Sequence, residues 1–291
     1  MTVSYWLNTA THFLQSKSIT TARLDALILL EDTIGKNRAQ LLAEPTMEMK
    51  EAWVAHIQKL LIRRSRHEPL AYIRGFSEFY GRKFVINPAV LEPRPESEAM
   101  IELLLDLPLF KAPEDTKTAS DTNTAHAHNV PAKRVTIADI GTGSGALGIT
   151  AAIELPGAQV DLLELDPAAA KVAQLNADRL TTGLRVILSD LLTNADTGYD
   201  VLLCNLPYVP DDYTINKAAG FEPRIALFGG PDGLDSYRKL STQLTTAQKR
   251  PLFILTESLP EQHEALAAIT AKNGYRLDKT VDFIQQFSLL A

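Results

Sequence analysis

The spacing of hydrophobic residues divides the chain into a helical first part and a second part of alternating strands and helices. Between residues 1 and 73, apolar residues recur every three or four positions, as in 21–30 and 50–62, which is the pattern of amphipathic helices. From Val135 onward, short apolar runs typical of buried strands alternate with longer helical runs. This alternation predicts an α/β domain with a mostly parallel sheet and helices on both faces.

Individual elements of the second part follow from these runs. The predicted strands cover residues 135–140, 159–164, 184–188, 199–204, 251–257 and 275–287. The predicted helices cover residues 96–105, 146–154, 167–180, 234–249 and 260–272. In open sheets of this kind ligands bind beyond the carboxyl ends of the strands, so the candidate site residues are expected there.

Changes in composition predict three segments. Residues 1–73 form a small helical domain, and residues 74–95 form a connector in which a hairpin pattern around Gly81-Arg82 is followed by several prolines. Residues 96–291 form the larger domain. Within it, residues 111–134 are rich in polar residues and lack aromatic ones. Such a segment buries too little apolar surface to fold alone, so it is predicted to be a disordered insertion.

The charge is distributed unevenly between the two parts. Residues 1–75 contain ten basic and seven acidic residues, a net charge of +3. The net charge of the whole chain is −6, so the remaining residues carry a net charge of −9. Nucleic-acid binding is driven by neutralisation of phosphates, so the acidic second part argues against direct contact with nucleic acid. The mildly basic first part is compatible with docking an acidic protein surface.

The remaining composition is that of a cytoplasmic protein without a metal. Cys204 is the single cysteine, so no intrachain disulfide forms, and the six histidines are scattered rather than grouped as zinc ligands. No apolar run is long enough to span a bilayer, and the first residues lack the features of a signal peptide. We therefore expect a cytoplasmic location and no membrane association.

A glycine-rich loop follows the first predicted strand. Residues 139–148 read D-I-G-T-G-S-G-A-L-G, and glycines let backbone N–H groups approach a ligand at the positive end of the following helix. The spacing matches neither a P-loop nor a clean dinucleotide motif, but it leaves nucleotides, dinucleotides and S-adenosylmethionine open. The candidate cofactor residues in this loop are Asp139, Gly141, Thr142, Gly143, Ser144 and Gly145.

Acidic residues end the next two predicted strands. Glu164 ends the second strand, where a carboxylate can accept hydrogen bonds from both ribose hydroxyls of an adenosine-containing cofactor. Asp190 and Leu191 follow the third strand and can bracket an adenine ring, although an ordinary loop would have the same composition. These three residues complete the candidate cofactor site, together with Asn205 after the fourth strand.

The sequence Asn205-Leu206-Pro207-Tyr208 follows the fourth predicted strand and supplies the candidate catalytic residues. A planar NH2 group could donate one N–H to the Asn205 side-chain oxygen and the other to the Leu206 carbonyl, with the Tyr208 ring stacked on its plane. A simple turn is the alternative, since Asn and Pro are common turn residues. With the glycine loop and Glu164, the turn selects a class I S-adenosylmethionine-dependent methyltransferase. Such an enzyme needs no metal, because the sulfonium already activates the methyl group.

Several motifs resemble those of the HemK-like (PrmC) peptide chain release factor glutamine N5-methyltransferases, and the resemblance covers nearly the full length. They lie at residues 68–80, 91–98, 139–145 and 221–234. The resemblance implies an N-terminal helical docking domain and a Rossmann-like methyltransferase domain that uses S-adenosylmethionine. It implies release factors as partners, with methylation of the glutamine in their Gly-Gly-Gln motif. We expect a monomer.

Two departures from the family pattern keep alternatives open. Leu206 stands where the family usually has proline, and the C-terminal stretch 281–287 lacks the family's arginine. Leu206 precedes Pro207 and should stay extended, but its φ is no longer locked. The turn also resembles that of ribosomal RNA adenine dimethyltransferases. A ribosomal-protein glutamine methyltransferase, an adenine-N6 nucleic-acid methyltransferase and a cofactor-binding protein without catalysis are therefore the alternatives.

Overall fold

The computed structural model describes residues 1–111, 134–181, 183–195 and 198–290. The predicted insertion at 111–134 lies outside the described residues except at its two ends, and its disorder stays a prediction. The described residues form two compact units. One comprises Met1–Ser77 and Ile215–Glu222, and the other comprises Glu78–Thr214 and Pro223–Ala291. In the described part of the chain, no helix is both long and apolar enough to cross a membrane.

The first unit is helical. Its helices are α1 (Val3–Gln15), α2 (Ala22–Ile34), α3 (Arg38–Ala43), α4 (Glu51–Ser65) and α5 (Leu70–Arg74). Residues at helical spacing bury one face of each long helix in a shared core that includes Trp6, Leu14, Leu30, Leu41 and Ile57. Asn37 caps α3 in a capping box with Gln40, and Gly35 ends α2 in the left-handed conformation. Buried Asp25 accepts hydrogen bonds from Arg64 Nε at 2.7 Å and the Thr21 hydroxyl at 2.8 Å, which ties α2 to α4.

The second unit is built on a seven-stranded sheet. Strands β1 (Phe76–Phe79), whose first two residues belong to the first unit, and β2 (Arg82–Val85) form a separate two-stranded hairpin, as the pattern around Gly81 predicts. The sheet strands are β3 (Thr136–Ile140), β4 (Gln159–Glu164), β5 (Arg185–Leu188), β6 (Val201–Cys204), β7 (Phe253–Glu257), β8 (Tyr275–Val281) and β9 (Ile284–Leu289). The helices are α6 (Glu98–Leu105), α7 (Ala146–Glu154), α8 (Pro167–Leu180), α9 (Arg224–Leu227), α10 (Asp235–Thr246) and α11 (His263–Ala271).

The sheet has the order β5-β4-β3-β6-β7-β9-β8. Strands β3 to β7 pair in parallel, whereas β9 pairs antiparallel with both β7 and β8. Strand β3 has β4 on one side and β6 on the other, so the direction in which successive strands join the sheet reverses at β3. A crevice opens at such a switch point beyond the carboxyl ends of the strands. The predicted α/β fold class with a mostly parallel sheet is confirmed, and the predicted last strand is a hairpin of β8 and β9.

Alternate residues of the central strands bury opposite faces of the sheet. One face packs on α6, α7 and α8 through residues such as Ile137, Leu162, Leu203, Met100 and Ile149. The other face packs on α10 and α11 through residues such as Ile140, Leu163, Leu202, Leu240 and Leu266. Strands covered on both faces become continuous apolar runs, which is why these segments carry so clear a strand signal.

Candidate active site

The loops after β3, β4, β5 and β6 surround one cavity in the second unit. Most of the residues predicted from the sequence line it, namely Asp139, Gly141, Thr142, Gly143, Ser144, Glu164, Asp190, Leu191, Asn205, Leu206 and Pro207. Two predicted residues lie just behind the lining. Gly145 starts α7, and Tyr208 points its hydroxyl away towards Glu257. The connector contributes Val90 and Leu91, and Ser97 lies just after it. Leu91 and Ser97 belong to the 91–98 motif, but the sequence analysis gave none of these three residues a role in the site.

The glycine loop has a backbone that side chains would disrupt. Gly141, Gly143 and Gly145 have φ values of 67°, 56° and 83°, in the left-handed region that glycine tolerates. A Cβ on Gly145 would lie 2.6 Å from the Ile149 side chain, and one on Gly141 would lie 3.2 Å from Leu206 Cδ2. Side chains at these positions would therefore strain the loop or crowd its neighbours.

Asp139 is a buried residue whose carboxylate is hydrogen-bonded to this loop. Its Oδ2 accepts a hydrogen bond from the Thr142 hydroxyl at 2.5 Å and from the Gly148 N–H at 2.8 Å. Burial raises the pKa of Asp139 to about 6, against the opposing effect of these two donors. A Cβ on Gly148 would lie 2.2 Å from Leu162 Cδ2 and 2.8 Å from Asp139 Cβ, so a side chain there would displace these neighbours. Asp139 thus joins the loop to the first turn of α7.

Glu164 is held at the end of β4 by backbone donors. Its Oε2 accepts the Gly143 N–H at 2.8 Å, and its Oε1 accepts the N–H groups of Leu165 at 2.8 Å and Asp166 at 3.0 Å. A carboxylate offers about four acceptor positions. Three are engaged, so one position on Oε2 remains for a ribose hydroxyl, and a second hydroxyl must displace a backbone donor.

The loop after β5 brings Asp190 and Leu191 into the cavity lining. Leu191 has a φ of 55°, an uncommon value for a branched residue and one that tends to occur at functional sites. The Asp190 carboxylate forms an ion pair with Lys239 of α10, which also lines the cavity. The sequence analysis did not identify Lys239 as a site residue, because a lysine on an amphipathic helix is usually only a solvent-exposed residue.

The side chain of Asn205 belongs to a buried hydrogen-bond network. Its Nδ2 donates to Ser97 Oγ and to Glu257 Oε2, both at 3.0 Å, and the Ser97 hydroxyl donates to Glu257 Oε2 at 2.5 Å. The Tyr208 hydroxyl donates to Glu257 Oε1 at 3.1 Å. Burial raises the pKa of Glu257, which is 1% exposed, while these donors oppose the shift. The sequence analysis missed Glu257, although it also ends a strand.

The segment after the turn packs closely beneath it. A Cβ on Gly229 would lie 2.2 Å from the Pro207 carbonyl oxygen, and one on Gly233 would lie 2.0 Å from that of Tyr208. Gln262 Nε2 donates to the Tyr208 carbonyl at 2.8 Å. These contacts give a physical reason for the glycines of the 221–234 motif, because only glycine lets the two backbones touch.

Asn176 of α8 connects the hairpin to the cofactor loop. Its Oδ1 accepts the Val85 N–H at 2.8 Å, and its Nδ2 donates to the carbonyls of Val85 at 2.9 Å and Ser144 at 2.8 Å. The side chain is fully buried. Its amide therefore satisfies three backbone groups that would otherwise lie buried without partners.

We expect Asn176→Leu to lower the free energy of unfolding by about 3 kcal/mol, since three buried backbone groups lose their partners. Urea unfolding followed by circular dichroism measures the change. Gln174→Leu, on the exposed face of the same helix, is the matched control and should shift stability by no more than about 0.5 kcal/mol. Equal midpoints for the two variants would contradict the role of Asn176.

Comparison with known proteins shows the family to which the chain belongs. A family model described as "Methyltransferase small domain" matches residues 120–220, which contain the glycine loop, Glu164 and Asn205. The chain is a methyltransferase. A second model, "PrmC N-terminal domain", matches residues 5–75. The chain belongs to the release factor glutamine methyltransferase family, which confirms the resemblance drawn from its motifs.

The membership rests on similarity along most of the chain. The chain is 34% identical over 249 residues to "Release factor glutamine methyltransferase" of Koribacter versatilis, covering 84% of this chain and 81% of that protein. It is 32% identical to "Bifunctional methyltransferase" of Rickettsia felis over 97% of this chain, but it spans only about half, 56%, of that relative. The crystal structure of the hMettl16 catalytic domain in complex with MAT2A 3'UTR hairpin 1 has a TM-score of 0.53, 13% identity, and coverage of 96% and 89%, which shows the fold alone.

Proposed function

We propose that the chain transfers a methyl group from S-adenosylmethionine to the side-chain amide nitrogen of the glutamine in the Gly-Gly-Gln motif of peptide chain release factors. One observation supports this most strongly. The Asn205 Nδ2 donates to Ser97 Oγ and to the buried Glu257 Oε2, which leaves the Asn205 oxygen as the end available to a substrate N–H. The Koribacter versatilis relative is named a release factor glutamine methyltransferase, which agrees with this substrate.

The residues around the cavity fit the cofactor. Residues 141–145 present a close-packed backbone at the start of α7 to its methionine end, Glu164 accepts from its ribose, and Asp190 with Leu191 adjoins its adenine. When bound, S-adenosylmethionine supplies an electrophilic methyl group on a positively charged sulfur. The lining is otherwise largely apolar, with Val90, Leu91 and Leu206 among its residues, and excludes water from the reacting atoms.

The turn after β6 would hold the substrate amide. Asn205 Oδ1 accepts one N–H of the glutamine, the Leu206 carbonyl accepts the other, and the Tyr208 ring packs on the amide plane. The amide nitrogen is a weak nucleophile because its lone pair is delocalised into the carbonyl. Rate enhancement therefore comes from positioning and electrostatics rather than from a strong base.

The macromolecular partner, the cellular location and the oligomeric state follow from the same proposed function. The release factor is the macromolecular partner, and the helical first unit, with its excess of basic residues, docks it. Translation factors act in the cytoplasm, so this is the proposed location, and a monomer suffices because all the proposed site residues lie in one unit.

Methyl transfer from radiolabelled S-adenosylmethionine to purified release factors tests the proposal. We expect incorporation into the wild-type factor and none into a factor whose Gly-Gly-Gln is changed to Gly-Gly-Ala. Parallel reactions contain ribosomal proteins, ribosomal RNA and duplex DNA. Labelling confined to ribosomal protein or to nucleic acid would replace the proposal with the corresponding alternative, and absence of transfer to every acceptor would favour a non-catalytic cofactor-binding protein.

A further inference from the structure

We infer that Glu257 is a positioning residue that determines which end of the Asn205 side-chain amide faces the cavity. The inference rests on the proposed function, since it concerns the group that receives the substrate amide. An asparagine amide has a nitrogen end and an oxygen end of nearly the same shape. Only neighbours that distinguish donors from acceptors can fix one orientation, and in this site those neighbours are Glu257 and Ser97.

Both groups at the buried end of the Asn205 amide are acceptors. Glu257 Oε2 lies 3.0 Å from Asn205 Nδ2, and the hydroxyls of Ser97 and Tyr208 also donate to this carboxylate, so it acts as an acceptor. Ser97 Oγ also lies 3.0 Å from this nitrogen. Ser97 already donates its single proton to Glu257 Oε2 at 2.5 Å, so it offers only lone pairs to Asn205. A reversed amide would bury its oxygen against two acceptors, which strongly disfavours that orientation.

The same carboxylate also orients Tyr208. Glu257 Oε1 accepts the Tyr208 hydroxyl at 3.1 Å, so one buried group holds both side chains that are proposed to contact the substrate amide. Among the described residues, the cavity lining includes Ser97 and Asn205 but neither Glu257 nor Tyr208. Glu257 therefore acts on the cavity through Asn205 rather than by direct contact with the substrate.

Sheet pairing fixes the distance between the two strand ends. Cys204 of β6 lies opposite Thr256 of β7, so Asn205 and Glu257 are the next residues of neighbouring parallel strands. The Tyr237 hydroxyl contacts the carbonyl oxygens of Cys204 at 2.9 Å and Glu257 at 2.6 Å, and so ties both strand ends together. This rigid frame lets a buried carboxylate hold the Asn205 amide.

Two substitutions of Glu257 separate the loss of an acceptor from the loss of a charge. Glu257→Met keeps the length of the side chain but removes both oxygens, and we expect kcat to fall by about 100-fold. Glu257→Gln keeps one acceptor oxygen, which the Ser97 hydroxyl and Asn205 Nδ2 select, so kcat should return to within about 5-fold of wild type. The Kd for S-adenosylmethionine should stay within about 3-fold in both variants, because Glu257 does not line the proposed cofactor cavity.

Methyl transfer by the wild type to the release factor tests the proposed function. The role of Glu257 is tested by the ratio of variant to wild-type kcat, measured on whichever acceptor the wild type methylates. Equal kcat values for the Met and Gln variants would overturn the role, and so would a loss caused by weaker cofactor binding. If Glu257→Met does not fold, the double variant Ser97→Ala/Glu257→Gln takes its place. Without the Ser97 hydroxyl, the amide introduced by Glu257→Gln can turn its NH2 towards Asn205. The double variant should therefore lose more kcat than the product of its single losses, and simple multiplication would overturn the inference.

Discussion

Asn205→Ala is expected to lower kcat for release factor methylation by about 10³-fold, because the substrate amide loses the oxygen that fixes its nitrogen in line with the methyl group. The variant also removes the donor to Ser97 and Glu257, but these two keep their own mutual hydrogen bond. The Kd for S-adenosylmethionine should remain within about 3-fold of wild type. Single-turnover rates with labelled cofactor and calorimetric titration measure the two quantities separately.

Gln174→Ala provides a matched control for that experiment. It removes an amide side chain from the exposed face of α8, outside the cavity lining, and should leave both quantities unchanged. Undiminished turnover in Asn205→Ala would rule out the amide-holding role. A proportional rise in the cofactor Kd would instead assign Asn205 to cofactor binding alone.

Glu164→Gln is expected to raise the Kd for S-adenosylmethionine by about 100-fold, as large an effect as Glu164→Ala. The usual conservative substitution fails here for a geometric reason. Gly143 donates to one carboxylate oxygen, while Leu165 and Asp166 donate to the other. Either orientation of a glutamine amide places its NH2 against a backbone N–H, so the glycine loop and the start of α8 lose their common anchor.

Calorimetric titration of both Glu164 variants measures this effect. Glu264→Gln, an exposed glutamate on α11, has the same change of charge and serves as the control, with no expected change in Kd. Tight binding by Glu164→Gln with weak binding by Glu164→Ala would show that a single acceptor oxygen is enough, contrary to the expectation.

The sequence was sufficient to locate Glu164 and Asn205 because both follow apolar runs that read as strands. Parallel strands bring their carboxyl ends to one edge of the sheet, so no tertiary information was needed. Glu257 satisfies the same rule and was missed because its strand shows no recognisable motif after it. Its importance depends on the strand order, which places β7 beside β6. Strand order is a property of the whole fold and not of one segment.

Other features could not be read from local patterns. Residues 215–222 belong to the first unit although they lie far from its other residues in the sequence. No periodicity in the sequence indicates that this segment belongs to the first unit. The sequence predicted only one of the two effects of having Leu206 in place of the family's usual proline. Its loss of a locked φ follows from its chemistry, but its burial to 2% exposure against the glycine loop follows from packing.

The position of Leu206 has a consequence for engineering. Its Cδ2 lies 3.2 Å from the position that a Cβ on Gly141 would occupy, so the turn that receives the substrate and the loop that receives the cofactor are built against each other. A graft that brings the Asn-Pro-Pro-Tyr turn of a relative into this chain would remove that leucine and leave unfilled space under Gly141. Exchanging both segments as one module keeps the contact intact.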